Sequence, residues 1–497
     1  MNLIPLLMVV AYMVVTSLIG VLLAKRKQNS KEYFIAESSL GVIAVIALLF
    51  SEIIAGAGTI GNAQTAFLSG ISSVWANWGM ALGCFAFTVL CSKFYRSMGT
   101  ERGAMSVPEA YSLLFDERCR VVMIFTVVLA YLMMFSTQAT AAAAIVSPLF
   151  GDGANQTVVT WIVAAVFIII TCFGGRKGIA NMNVVHAVFM YIGMGLVAFM
   201  AIRSVGGFGT LRASVDRTFF SVAQPNVQTV LGQAIGTAIS FFASSNVACG
   251  CFSAKSYKTA NRGIALAGLI VIPFALFPAL IGVCAHVAMP GIKSTDALFE
   301  MARSLGPALT GFASMAIIAA IWSTGPSLLL VICTSLTRDL FKRFLKKDAT
   351  DGQQLAFSRA MAVIIGIVGT YFGISAKSIL GQMLGAFQIR SVVGIVLLVA
   401  LNWPRVTKNA AFWSMLIGGV VAAVWFFTGN PMGLQPLWPA AIVCLVVLVP
   451  MTLASKEPVS PGYKMYKECA AAMLGKSGSP DTPAAEVVDA GPQVNDA

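Results

Sequence analysis

Charge is scarce in this chain. Asp, Glu, Lys and Arg make up 11% of its 497 residues, where a soluble protein carries about a quarter. Histidine occurs only twice, and the ten cysteines are scattered singly, mostly inside apolar runs. No zinc-type or redox spacing results, and Cys249 and Cys251 read as small helix-packing residues. A GxxxxGK[ST] stretch is missing as well, which removes the usual engine of ATP-driven transport. The chain reads as a carrier and not as an enzyme.

What is present is apolar: 58% of the residues are hydrophobic. Windows of about 20 apolar residues fall near 3–24, 41–69, 71–95, 121–149, 156–174, 180–204, 229–253, 262–288, 306–336, 357–376, 379–401, 408–428 and 433–454. These give an all-α polytopic membrane protein with about 13 transmembrane helices. Lys25, Arg26 and Lys27 follow the first run instead of preceding it, so it is expected to be a retained span and not a cleaved signal peptide.

The net charge of +13 is topological. Most of the 33 Lys and Arg residues fall in alternate loops: Lys25 to Lys31, Lys93 to Arg120, Arg176 and Lys177, Lys255 to Arg262, Arg338 to Arg359, Arg405 and Lys408, and Lys456 onward. The positive-inside rule then places the N-terminus outside and the C-terminus inside. Anionic membrane lipids, and no nucleic acid, are the expected neighbours of that charge. The residues carry no signature of oligomeric state.

Ten spans between the first and the last two divide into two sets of five, and an odd number inverts the second set relative to the first. The expected organisation is 1–40, first helix and cytoplasmic loop; 41–204, first five-helix repeat; and 205–228, outer loop. It continues with 229–401, second five-helix repeat; 402–455, two C-terminal helices; and 456–497, a tail rich in Pro, Gly, Ser and Ala that reads as disordered and cytoplasmic. Inverted repeats hold solute and ion at broken helices, usually the first of each set.

Both of those helices are poor continuous spans. LLFSEIIAGAGTIGNA, Leu48 to Ala63, carries Glu52 with Gly56, Gly58 and Gly61, and glycine weakens a helix. A carboxylate at bilayer depth marks function unless it is a protonated packing residue. TVLGQAIGTAISFFASSNVACGCFS, from Thr229, is interrupted by Gly236 and by Ser244, Ser245 and Asn246. Trp75, Trp78, Phe241, Phe242 and Phe387 are candidate pocket aromatics, and His186 reads as a packing histidine or a proton-coupling group.

Four stretches carry a family resemblance. AIIAAIWSTGPSLLLVICTSLTRDLFKRFLKK, Ala316 to Lys347, resembles the signature helix of the sodium:solute symporter family. YFIAESSLG, Tyr33 to Gly41, is similar to its entry to the first core helix, and GGRKGIANMNVVH, Gly174 to His186, is similar to a family loop. ILGQMLGAFQIRSVVGIVLLVALNWPRVTKNAA, Ile379 to Ala411, is nearest to the bacterial proline/pantothenate-type branch. The resemblance implies the leucine-transporter-type five-plus-five inverted repeat. It also implies a multi-pass inner-membrane symporter that imports a small polar organic solute by alternating access, with Na⁺ as the co-transported ion and no other cofactor. Carried over residue by residue, the Na⁺ ligands are the carbonyls of Ser51, Ile54 and Ala320 and the side chains of Ser323 and Thr324. On spacing alone, the two hydroxyls serve equally well as partners of the carbonyl one turn earlier.

The chain departs from the proline branch at Ile53 and Ala55, where that branch has Asp and Ser, which sets proline aside as the expected solute. The candidate solute or gate residues are Glu52, Gly56, Gly58, Ser244, Ser245, Asn246, Phe387 and Arg390. Two roles fit the charged pair. Glu52 and Arg390 form an ion pair that opens with the gate, or Arg390 takes a solute carboxylate through its two-pronged guanidinium. The second makes a carboxylate or amino acid the favoured solute. A proton-coupled carrier that titrates Glu52, and a sensor built on a carrier fold, are the alternatives.

Overall fold

The computed structural model describes residues 3–22, 29–151, 154–224, 226–375, 379–456 and 459–476. Nearly all of them are helical. Among the described residues the only β pairing is an isolated bridge between Leu40 and Ala254. Nine helices among the described residues are long and apolar enough to cross a membrane, the bent pair Val227–Ala243 and Ser245–Ser253 makes a tenth, and Val42–Gly56 and Leu437–Leu453 are shorter apolar helices.

The architecture is layered around one helix. Every residue from Ala313 to Ser335 of Pro307–Ser335 is buried, a result that small side chains permit: Ala316, Ala319, Ala320, Ser323, Thr324, Gly325 and Ser327 allow neighbouring backbones to approach closely. Helices Gln156–Ser204, Glu117–Phe150, Leu3–Leu22 and Val42–Gly56 pack around it. Outer helices behave oppositely. Leu3–Leu22 and Asp351–Ile374 leave Leu3, Leu7, Val14, Ile364, Tyr371 and Phe372 exposed, as lipid-facing surfaces do.

Gln156–Ser204 is one helix of 49 residues, about 74 Å if straight, more than twice the hydrocarbon thickness of a bilayer. It is not straight. Gly175 takes φ 55° and ψ −168°, a conformation open to glycine at little cost. A Cβ placed on Gly20 would lie 3.3 Å from Met182 and 3.7 Å from Ile170, so the two arms fold back past a common neighbour. The stretch GGRKG, expected to be a cytoplasmic loop, is this turn, and Arg176 within it is buried.

Two further helices are broken. Val42–Gly56 ends at Ala55, whose φ of 51° and ψ of −178° leave the helical path, and continues through a wide π-type turn, Ala57–Gly61, into Asn62–Ser69. Val227–Ser240 passes through the tight turn Phe241–Ala243 and bends by 43° into Ser245–Ser253. The first begins where the second ends: Leu40 N–H donates to Ser253 O at 2.9 Å and Lys255 N–H to Leu40 O at 3.0 Å. The two broken helices therefore cross the molecule in opposite senses, as inverted repeats require.

The tail expected to be disordered from residue 456 is ordered over Pro461–Lys476, a helix packed on Ser92–Arg102 and Val107–Leu114. Its Tyr466, Cys469, Ala470 and Met473 are buried, and Tyr466 meets the Phe94 ring edge-on at 5.5 Å. The three-to-four-residue spacing of those side chains makes a helical face, which the Pro-, Gly- and Ser-rich sequence that follows it in the tail masked. The rest of the tail, 477–497, and the charged residues Lys25, Arg26 and Lys27 lie outside the described residues.

Candidate functional site

The break in the first helix and the centre of the buried helix meet at Ser51. Its carbonyl accepts from Ser323 Oγ at 3.1 Å and from Thr324 Oγ1 at 3.2 Å, while both hydroxyls also reach the Ala320 carbonyl, at 2.9 and 2.8 Å. Both hydroxyls thus bond back one turn, one of the two roles expected of them, and also bridge to the broken helix. Two carbonyl and two hydroxyl oxygens converge, all neutral and buried, a donor set suited to a hard monovalent cation. Ile54, the fifth residue expected here, stands immediately before the break at Ala55. Pro326 lies two residues beyond Thr324 and removes a backbone donor from this part of the helix.

Asn77 and Gln138 hold the break open. Asn77 Nδ2 donates to Gly58 O at 3.0 Å, and Gly56 N–H donates to Gln138 Oε1 at 3.4 Å. A Cβ on Gly58 would stand 2.9 Å from Asn77 Oδ1 and one on Gly56 3.1 Å from Ile321, so both glycines serve close approach. Neither Asn77 nor Gln138 was singled out from sequence, because each is one polar residue in an apolar run.

At the second break, Ser244 caps Ser245–Ser253 through its side chain. Tyr131 Oη lies 3.3 Å from Ser244 Oγ and accepts the Asn246 N–H at 3.1 Å. Ser245 is buried at the start of the same segment. Arg390 comes from Ile379–Asn402: its Nε donates to Ser240 Oγ at 2.9 Å and to Ser240 O at 3.1 Å, and its guanidinium lies 5.3 Å from the ring centres of both Tyr131 and Phe387. Aromatic faces and a helix-end carbonyl stabilise the buried cation.

One cavity of about 20 Å³ lies between the second break and the turn of helix just before the first, lined by Glu52, Ile53, Met134, Phe241, Ser244, Asn246, Val247, Phe387 and Arg390. That is room for roughly one water molecule. Glu52 Oε2 and Asn246 Oδ1 are buried there without a hydrogen-bond partner. Trp75 and Trp78 meet edge-to-face elsewhere and donate to Val222 O and Ile272 O. His186 is buried against Tyr12, 2.5 Å from Nδ1 to Oη, the packing role anticipated for it.

The Glu52–Arg390 ion pair, one of the two roles considered for these residues, is not formed. Glu52 pairs with Arg176, 3.3 Å from Oε1 to Nη1, and Ser327 Oγ donates to the same oxygen. Arg390 is already held by Ser240 and its two aromatic neighbours, whereas the turn at Gly175 carries Arg176 inward to the carboxylate. Lys177, one position on, stays partly exposed beside Glu32.

A fully buried central helix flanked by two oppositely directed broken helices defines a leucine-transporter-type membrane carrier. Solved structures agree on the fold. A substrate-bound, outward-open Na⁺-coupled sialic acid symporter superposes with a TM-score of 0.77 over 92% of this chain and 98% of that one, at 16% identity. Mhp1, a nucleobase-cation-symport-1 family transporter in a closed conformation, superposes at 0.61 over 90% and 100%, also at 16% identity. The family model of the sodium:solute symporters matches residues 33–418, and the chain belongs to that family. Similar curated proteins include the sodium/proline symporter of Escherichia coli, 25% identical over 91% of this chain and 93% of the relative. The osmoregulated proline transporter OpuE of Bacillus subtilis is 22% identical over 92% and 96%. The chain is a multi-pass protein of the cell membrane, a symporter of a small organic solute with Na⁺ as the co-transported ion.

Proposed function

We propose that the Ser51, Ile54 and Ala320 carbonyls and the Ser323 and Thr324 hydroxyls bind the driving Na⁺, and that the adjoining cavity binds a small carboxylate or amino acid. The observation that carries the reading is the convergence of both hydroxyls on the Ser51 carbonyl at the helix break. The ion would bridge the first broken helix to the buried central helix. Filling it favours one arrangement of the two, and that differential binding is what couples ion to solute.

Arg390 supports the solute class. One guanidinium edge is anchored by Ser240 while the side chain lines the cavity, and a planar two-pronged cation suits a carboxylate. The names of the relatives say that they transport proline. The departure at Ile53 alters the wall of this cavity and that at Ala55 falls at the helix break, so proline is set apart from the favoured solutes. Glu52 has a fixed cationic partner in Arg176, which favours sodium over protons as the driving ion. The N-terminus is assigned outside and the C-terminus inside, with repeats over 41–204 and 229–401 related by inversion.

Proteoliposome uptake tests the proposal. Under an inward Na⁺ gradient, radiolabelled amino acids and short carboxylates are screened against choline controls. Na⁺-dependent accumulation of one carboxylate-bearing solute is expected. Accumulation confined to solutes without a carboxylate contradicts the assigned role of Arg390.

A further inference from the structure

The Glu52–Arg176–Ser327 cluster resembles an ion site already filled from within the protein. Arg176 Nη1 lies 3.3 Å from Glu52 Oε1 and 3.2 Å from Ser327 Oγ. A carboxylate and a hydroxyl are oxygen donors of the kind a hard cation takes. Both sit next to residues of the proposed Na⁺ site: Glu52 follows Ser51, and Ser327 is four residues beyond Ser323, about 6 Å along the helix.

The cluster is poorly suited to holding the fold together. A buried ion pair contributes little stability unless its remaining polar atoms are satisfied. Here Arg176 Nε and Nη2 and Glu52 Oε2 are buried with no hydrogen-bond partner, in side chains only 1% and 0% exposed. Asn183, whose carbonyl accepts from Ser51 Oγ at 3.3 Å, likewise leaves both polar atoms of its buried side chain unpartnered. The polar capacity of this pocket exceeds what the side chains use among themselves.

We infer that Arg176 is a tethered cation in the place of a second bound ion, and that it limits this symporter to one Na⁺ per binding cycle. The inference rests on the Na⁺ site proposed above. Arg176 neutralises Glu52 through a charge that travels with the protein, so the neighbouring site gains only the charge of its single ion. Removing the guanidinium leaves a carboxylate and a hydroxyl facing a vacated position, and free Na⁺ then fills it.

The test is equilibrium binding of ²²Na⁺ to the purified full-length chain at pH 8, counted as ions per protein. Wild type is expected to bind one ion and Arg176→Gln two, with the count returning to one in the Glu52→Gln/Arg176→Gln double variant. One ion in wild type and still one in Arg176→Gln overturns the inference while leaving the Na⁺ site intact. No ion bound by wild type removes the Na⁺ site and the inference with it. Arg176→Met carries the same expectation and replaces the Gln variant if the latter is not monodisperse on size exclusion.

Discussion

Arg176 and Glu52 form an ion pair 3.3 Å apart with neither side chain accessible to solvent. The pair joins the folded-back helix at Gly175 to the first broken helix, and Ser327 ties both to the buried central helix. Three segments therefore meet at one charge pair beside the proposed ion site. Any motion that opens the site has to move at least one of them.

Breaking that pair from one side leaves an uncompensated buried charge. Arg176→Met is expected to destabilise by about 3–5 kcal/mol in choline chloride, and less in NaCl, where the ion compensates Glu52. Glu52→Gln combined with Arg176→Met is expected to recover most of the loss. Melting temperatures of detergent-purified variants measure both. Equal losses for the single and double variants contradict the account of the pair.

Arg390 makes a separate prediction about the solute. Arg390→Gln removes a charge-assisted contact of about 1.5–3 kcal/mol, so the solute KM is expected to rise by roughly ten- to hundredfold with the Na⁺ affinity unchanged. An unaltered KM removes Arg390 from the solute site.

Tyr131 is expected to matter for the shape of the second break. Tyr131→Phe takes the partner from the Asn246 N–H and loosens Ser244. The cost is about 1–3 kcal/mol for a buried donor left unmade, read as a lower melting temperature. Tyr131→Phe with wild-type stability and wild-type uptake would mean that the hydroxyl has no such role.

Gly58 probes the first break. Its Cβ position lies 2.9 Å from Asn77 Oδ1, and Gly58→Ala is expected to push Asn77 off the Gly58 carbonyl and weaken Na⁺ stabilisation. Gly41→Ala meets nothing within 4 Å and serves as the control.

Much of this could be read from the residues. Apolar runs gave the membrane class, and the glycines and Glu52 in an otherwise apolar stretch marked the first break, as Ser244, Ser245 and Asn246 marked the second. Arg176 escaped because GGRKG looks like a loop in one dimension. Two adjacent glycines and two cations carry no trace of a chain that folds back at Gly175 with one cation turned in and the next turned out. Tyr131 and Asn77 escaped for a related reason: an isolated polar residue in a long helix declares its partner only when a distant helix is brought against it. The Pro461–Lys476 helix was hidden by the composition of the tail that follows it, although its buried Tyr466, Cys469, Ala470 and Met473 already carried helical spacing.

The most direct test of the sodium site is the thermal stability of purified protein in NaCl against choline chloride, for wild type and for Ser323→Ala/Thr324→Ala. A ligand that binds only the folded form raises its stability by mass action, about 2.7 kcal/mol at a hundredfold excess over Kd. Na⁺ is predicted to raise the melting temperature of wild type and to leave that of the double variant where choline puts it. An equal rise in both proteins contradicts the assignment of Ser323 and Thr324 to the driving ion.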